Sequence, residues 1–464
     1  MGVRREVPWP ADVSAVARAL ASTSSSWYWI DDWDGVGRLG AAGELRIAER
    51  GCERDFLSAL RGDADWVVAF GYEFGVALLG LDPALDDAAP AFALRTGVEL
   101  VLDHDRGEAE LRGPSEAALD AWLARCGASL REDPVLRAEI APWEGDPAVQ
   151  SPPELQPPPE LHDPPELFER RPSWRRSAAE YEDLVERCRT RIRDGDAYVL
   201  CLTDTAEIRG PRADPLDLYL RLRESGPAVR GGVIVAGERA LVSASPERFL
   251  SVRGDGIRTD PIKGTRPRGA TPEADAALAQ ELAVDPKERA ENLMIVDLMR
   301  NDLSRVCVPG TVAATGFLRV ETHPHVHQLV STVSGRLAGN LDAVDAIRAC
   351  FPGGSMTGAP KHRAVEILAE LEGAPRGLYS GCFGWIDRSG DAELAMTIRS
   401  IELRELGAVG SVELRGLGGS APRARVGAGG GITVDSDPAR ERAEKSVKAA
   451  PLLRALGAGG AGAR

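Results

Sequence analysis

The chain has 464 residues with 71 acidic against 56 basic side chains, a net charge of −15; that length exceeds one small domain and leaves ample material for a buried core. The acidic excess disfavours nucleic acid and anionic membrane surfaces as partners, so an anionic ligand would have to be met by local cations or a metal. Seven widely spaced cysteines, with no C-x-x-C pair, argue against zinc or redox work and read as reduced, mostly buried thiols.

The N-terminus places Glu6, Pro8, Asp12 and Arg18 where a signal peptide needs an unbroken apolar stretch, and no apolar run reaches membrane-spanning length. The expectation is a soluble cytoplasmic protein with no membrane partner. Residues 1–140 mix short apolar segments such as Trp66 to Phe70 with Gly and Asp turns, which predicts α/β structure without naming any chemistry. Between 141 and 172 the tetrad PPEL occurs three times; paired prolines cannot join a ladder or a helix interior, so this stretch reads as an extended linker ahead of a third region, 173–464.

In that region Ser177 and Glu180 form a capping-box signature, and Tyr181, Val185, Cys188 and Ile192 follow at helical spacing, predicting a helix to about Arg193 that stops at Gly195. Strands are expected at 197–208, 232–236 and 240–243, with Gly237 in the turn between the last two. A helix followed by strands on short turns implies a mixed or antiparallel sheet.

Chemistry enters with SPERF at 245–249 and PIKGTRP at 261–267. Lys263, between a strand and a glycine turn, can be desolvated and its pKa lowered, which would free the amine as a nucleophile; a solvated turn lysine is the plainer reading. Glu288 and Glu291 lie three apart on a helical stretch whose buried side Leu293, Met294, Val296 and Leu298 can supply. Near the C-terminus Asp437 and Pro438 read as an N-cap and first helical residue, and Glu441 and Glu444 follow one turn apart. Each pair alone is compatible with a solvated acidic face; converging, the two pairs could hold one hard cation such as Mg²⁺. Before that helix, Gly427 to Gly431 read as a loop whose backbone N–H groups an anion can approach closely, without the spacing of a dinucleotide fingerprint. FPGGSMTGAPKHR (351–363) offers hydroxyls in a turn entering a helix after Pro360, and MTIRS (396–400) places Arg399 where a guanidinium could clamp a carboxylate.

Taken in order, SPERF, PIKGTRPRG, ENLMIVDLMRNDLSRV, HQLVSTVSG, FPGGSMTGAPK, GLYSGCFGW, MTIRS and GAGGGITVDSDP resemble the motifs of the chorismate-utilising family, which includes anthranilate synthase component I, aminodeoxychorismate synthase component I, isochorismate synthase and salicylate synthase. The resemblance covers roughly 177–456, with 1–140 as the family's more variable region. It implies an α/β (α+β) fold of two antiparallel sheets packed face to face with helices outside. It also implies Glu291 and Glu444 as direct Mg²⁺ ligands, with Glu288 and Glu441 holding metal-bound water. Arg399, Tyr379, the amides near Gly429 and Lys448 would serve the enolpyruvyl carboxylate, Thr265 and Ser355 the ring site, and Glu247 acid or base catalysis. The form PIKGT resembles aminodeoxychorismate synthases, where the lysine is thought to attack ring C2 before ammonia enters at C4; anthranilate synthases resemble PIAGT. Lys263 therefore points to amination of chorismate at C4, giving 4-amino-4-deoxychorismate for 4-aminobenzoate and folate or a related pathway. The alternatives are anthranilate synthase component I, isochorismate or salicylate synthase, and a non-catalytic paralogue. Many relatives place a histidine where this chain has Gln328, and His327 on the same strand would face the other way. No segment resembles a thiol amidotransferase, so ammonia is expected from a separate glutaminase subunit.

Overall fold

The computed structural model describes residues 2–458 except 63, 131–171, 211–212, 227, 324–325 and 407–421. The PPEL repeats lie outside the described residues. Strand pairing is antiparallel throughout. One layer runs through Val36–Ile47, Ser26–Trp33, Arg230–Ala236, Arg239–Ser245, Ser400–Arg404, Arg423–Ile432 and Val199–Arg209. The other runs through Trp66–Phe70, Cys382–Ile386, Ala392–Met396, Arg248–Arg253, Gly256–Asp260 and Val326–Arg336, with Ile262–Pro267 and Ala313–Thr322 also on the last strand.

The layers pack face to face: Tyr28, Ile30, Ile234 and Leu241 from the first meet Val67, Phe383, Trp385 and Ala395 from the second. Helices cover both outer faces, contributing Val16, Trp122, Leu218 and Leu452 on one side and Ile295, Met299 and Ile347 on the other. This is the α/β architecture expected from the sequence, with one addition. The long strand Ala91–Asp103 pairs with both Val36–Ile47 and Trp66–Phe70, so the two layers are hydrogen-bonded into one continuous sheet. N-terminal strands thus sit inside it, Trp27 opposite Val235 and Val68 opposite Gly384.

The local signals that place the site residues are short-range. Ser177 and Glu180 close the capping box of the helix Ala178–Arg193, and Gly237 turns with φ 62° between Arg230–Ala236 and Arg239–Ser245. The helix Pro286–Ser304 starts on Asp285, whose carboxylate accepts from the Lys287 and Glu288 amides. Its buried face agrees with the expected one in part: Val296 and Leu298 point inward as expected, joined by Asn292, Ile295 and Met299, but Leu293 is 52% exposed. The reason is tertiary. Asn292 donates to the Leu329 carbonyl and accepts from the Ser331 hydroxyl, which turns that residue, and with it the helix, toward the sheet. All seven cysteines are free, and only Cys52 is exposed. No described helix is long and apolar enough to cross a membrane.

Candidate functional site

A cavity of about 510 Å³ opens where the strands Val199–Arg209, Ile262–Pro267 and Arg423–Ile432 meet the helices Pro286–Ser304 and Pro438–Ala455. All twelve residues singled out from the sequence line it: Glu247, Lys263, Thr265, Glu288, Glu291, Ser355, Tyr379, Arg399, Gly429, Glu441, Glu444 and Lys448. A larger hollow of about 880 Å³ lies beside Arg4, Arg38 and Arg95. Two of its charges are already paired within the protein, Arg38 with Glu99 at 3.2 Å and Arg388 with Asp65 at 2.8 Å, and it contains none of the twelve.

The glycine run corrects the reading of a loop. Gly427 to Gly431 are the second half of the strand Arg423–Ile432, in register with Thr205 to Cys201. Their lack of side chains serves close approach. A Cβ at Gly427 would fall inside the Tyr379 ring, and one at Gly430 would lie 3.0 Å from a Glu441 carboxylate oxygen. On the other edge, Ser400–Arg404 pairs with Arg423 to Val426, so beyond Val426 that edge has no neighbouring strand among the described residues and borders the cavity. The Gly429 carbonyl accepts from Lys448 at 3.0 Å.

The two glutamate pairs face each other across the cavity with ammonium groups between them. Lys287 lies 3.7 Å from Glu291 and 3.8 Å from Glu441, and Lys448 lies 2.7 Å from Glu444. Burial raises the pKa of Glu288, Glu291 and Glu441, and neighbouring carboxylates add to it: Glu291 acts on Glu288, and Glu444 on both Glu291 and Glu441. Glu444 is the exception, held low because Lys448, Lys287 and Lys263 outweigh its burial. A set of mutually repelling carboxylates whose gaps are occupied by ammonium groups has the donor chemistry of a hard-cation site. As the side chains stand, no three acidic, histidine or cysteine groups among the described residues are close enough to enclose an ion. Lys287 went unassigned in the sequence; its place four residues before Glu291 on a helix is the signal that could have found it.

Lys263 is the second residue of the strand Ile262–Pro267 in the cavity wall, and Gly264 beside it in that strand, rather than in a turn, adopts φ +90°, where a Cβ would meet Leu282 and Glu288. The expected lowering of its pKa is reversed. Burial does push it down, but Cys201, Glu291, Glu247 and Glu444 together outweigh burial and hold it above the ordinary lysine value. Glu247 is 6% exposed, and burial pushes its carboxyl up to about 7 against the Ser355 hydroxyl, Lys263 and Lys448. Arg399 sits at the cavity wall in the left-handed region, φ 51°, a conformation that costs a non-glycine residue and is held here by its surroundings. The turn carrying Ser355 is pinned from behind. Buried Lys361 donates to Asp302 at 2.6 Å and to the Cys350 and Pro352 carbonyls at 2.5 and 2.8 Å. Arg376, also buried, donates to the Met356 and Cys201 carbonyls at 2.8 and 2.9 Å.

Comparison with known proteins follows this geometry. Residues 29–454 match the family model described as chorismate binding enzyme. The chain is 41% identical over 387 residues to an aminodeoxychorismate synthase of Streptomyces pristinaespiralis, covering 82% of this chain and 48% of that protein. It is 40% identical over 402 residues to one of Streptomyces griseus, covering 84% and 50%. It therefore spans about half the length of these curated relatives. It is also 43% identical over 289 residues, 62% of this chain and 53% of that protein, to an anthranilate synthase component 1 of Haloferax volcanii. Among solved structures it is similar to anthranilate synthase component I from Streptococcus pneumoniae, with 26% identity, TM-score 0.66, and 97% and 92% of the two chains covered.

Proposed function

Because this chain belongs to the family of chorismate-binding enzymes, we propose that it aminates chorismate at ring C4, giving 4-amino-4-deoxychorismate with ammonia from a glutaminase partner. The observation that carries this choice is the position of Lys263 in the cavity wall, with Glu247 and Ser355 lining the same space. Overall similarity does not separate C4 from C2 amination, since relatives of both kinds are about equally identical.

In this reading Arg399 and Lys448 receive the substrate carboxylates, and Thr265 and Ser355 border the ring. The neutral Lys263 amine forms a bond to C2, both ring double bonds shift by one position toward C4 and the C4–O bond breaks; the hydroxyl departs as water with a proton from Glu247. Ammonia then bonds to C4, both double bonds shift back, the C2–N bond to Lys263 breaks to release the neutral amine, and a proton of the new ammonium group returns to Glu247. Glu288, Glu291, Glu441 and Glu444 would hold Mg²⁺. A divalent cation there would cancel the negative field that keeps the proton on Lys263 and would pair with a substrate carboxylate. The product could feed 4-aminobenzoate and folate synthesis or another use of the same intermediate.

Incubation of the purified chain with chorismate, Mg²⁺ and ammonium, followed by mass identification of the product, tests the proposal. 4-Amino-4-deoxychorismate is expected. Anthranilate would transfer the reading to C2 amination, and no turnover with ammonium would reject both.

A further inference from the structure

We propose that Glu73, in the N-terminal part of the chain, is a positioning residue for the substrate: it fixes the turn that carries Tyr379 into the cavity wall, and this inference rests on the chorismate reading above. Glu73 stands in the first turn of the helix Tyr72–Leu78 and is 7% exposed. Its two carboxylate oxygens accept from consecutive backbone amides, Oε1 from Arg376 at 2.8 Å and Oε2 from Gly377 at 3.0 Å. The next amide, that of Leu378, donates to Glu402 at 3.1 Å. Tyr72 completes the clasp: its amide donates to the Gly377 carbonyl at 2.9 Å, and the Arg376 guanidinium lies 4.1 Å over its ring.

The clasp suits a carboxylate and nothing else of that shape. An ionised carboxyl presents two acceptors and no donor, whereas an amide presents one of each, and here two N–H groups need two acceptors. What it holds leads to the cavity. The Arg376 side chain donates to the Met356 carbonyl, in the turn with Ser355, and to the Ser380 hydroxyl at 3.2 Å, next to Tyr379. Tyr379 and Arg399 line the same cavity, and burial keeps the tyrosine hydroxyl protonated, so it can donate to a substrate carboxylate there. The four glutamates stand on other helices, Pro286–Ser304 and Pro438–Ala455, and take no part in these hydrogen bonds. Loosening Glu73 should therefore cost substrate affinity and spare the cation.

The probe is 3-(1-carboxyvinyloxy)benzoate, which keeps both carboxylates of chorismate and has no hydroxyl to lose. It is titrated calorimetrically into the full chain with Mg²⁺ present at pH 8.5, above the value of about 7 to which burial pushes the Glu73 carboxyl. Glu73→Gln should weaken probe binding about ten-fold, while affinity for Mg²⁺ alone, titrated separately, stays within about two-fold of the wild type. In a Tyr379→Phe background the same substitution should cost less than about two-fold, because the hydroxyl it positions is gone. Glu73→Asp keeps the charge but reaches less far; it should repeat the pattern at about three-fold, and it carries the test if Glu73→Gln does not fold. Unchanged probe affinity, an equal loss with and without the Tyr379 hydroxyl, or a parallel loss of Mg²⁺ affinity overturns the assignment. If the probe does not bind the wild type, the chorismate reading fails first and takes this inference with it.

Discussion

Glu247 gives the sharpest test of the site's electrostatics, because its carboxyl is held at about 7 in the folded chain by burial, against an ordinary value of 4.5. Below pH 4.5 both the folded and the unfolded chain carry the proton, and Glu247 costs nothing. Between 4.5 and about 7 only the folded chain keeps it, and stability falls as pH rises. Above about 7 the group is ionised in both states, and the folded chain bears the full cost of a poorly solvated carboxylate. The difference of about 2.5 in pKa corresponds to about 3 kcal/mol, at 1.36 kcal/mol for each tenfold change. Glu247→Gln is a permanent mimic of the protonated form. It should match the wild type in urea unfolding at pH 4.5 and exceed it by about 3 kcal/mol at pH 8.5. The other carboxyls with raised pKa are common to both proteins and cancel in the difference. A gap that does not change with pH would refute the reasoning, since the Glu247 carboxyl would then titrate as an ordinary solvated one. The same variant should lose turnover by roughly 10²- to 10⁴-fold at every pH, because the amide supplies no proton to the departing hydroxyl.

Lys263→Ala should leave chorismate and Mg²⁺ binding largely intact while kcat falls by roughly 10²- to 10⁴-fold. Intact-mass analysis of quenched turnover should find a chorismate-derived adduct in the wild type that this variant lacks, and wild-type 4-amino-4-deoxychorismate production by the variant would remove the proposed nucleophile. In Mg²⁺ titrations, Glu444→Gln should lose more affinity than Glu441→Gln, because Glu444 is the carboxylate the surrounding lysines keep ionised, whereas Glu441 is turned toward the Ser436 hydroxyl at 2.8 Å; equal losses would reject that ranking. Gly427→Ala should lower stability by about 1–3 kcal/mol and weaken substrate binding, since its Cβ would overlap the Tyr379 ring. An unchanged Tm would show that Tyr379 has room to move aside.

Some of this was legible in the sequence because the physics is local. The capping box at Ser177 and Glu180, and Asp437 at the start of the second glutamate helix, satisfy backbone amides three residues away. Their signals therefore survive without any knowledge of the fold. The spacing of Glu288 with Glu291 and of Glu441 with Glu444 places each pair on one helical face for the same reason. The ordered motifs brought all twelve site residues to one cavity wall, but which pair faces which cation is a matter between elements distant in the chain.

Those contacts only the tertiary structure decided. A run of glycines carries no side-chain period, so nothing in residues 427–431 distinguishes a strand from a loop; the choice is made by the hydrogen bonds that Val199–Arg209 offers. The buried face of Pro286–Ser304 turned on Asn292, a polar residue that a hydrophobic pattern assigns to solvent, because Leu329 and Ser331 supply its partners from another strand. The Lys263 proton depends on how many carboxylates converge on a buried amine. The sequence lists those groups by type, but their balance against burial is set by distances that only the folded chain has.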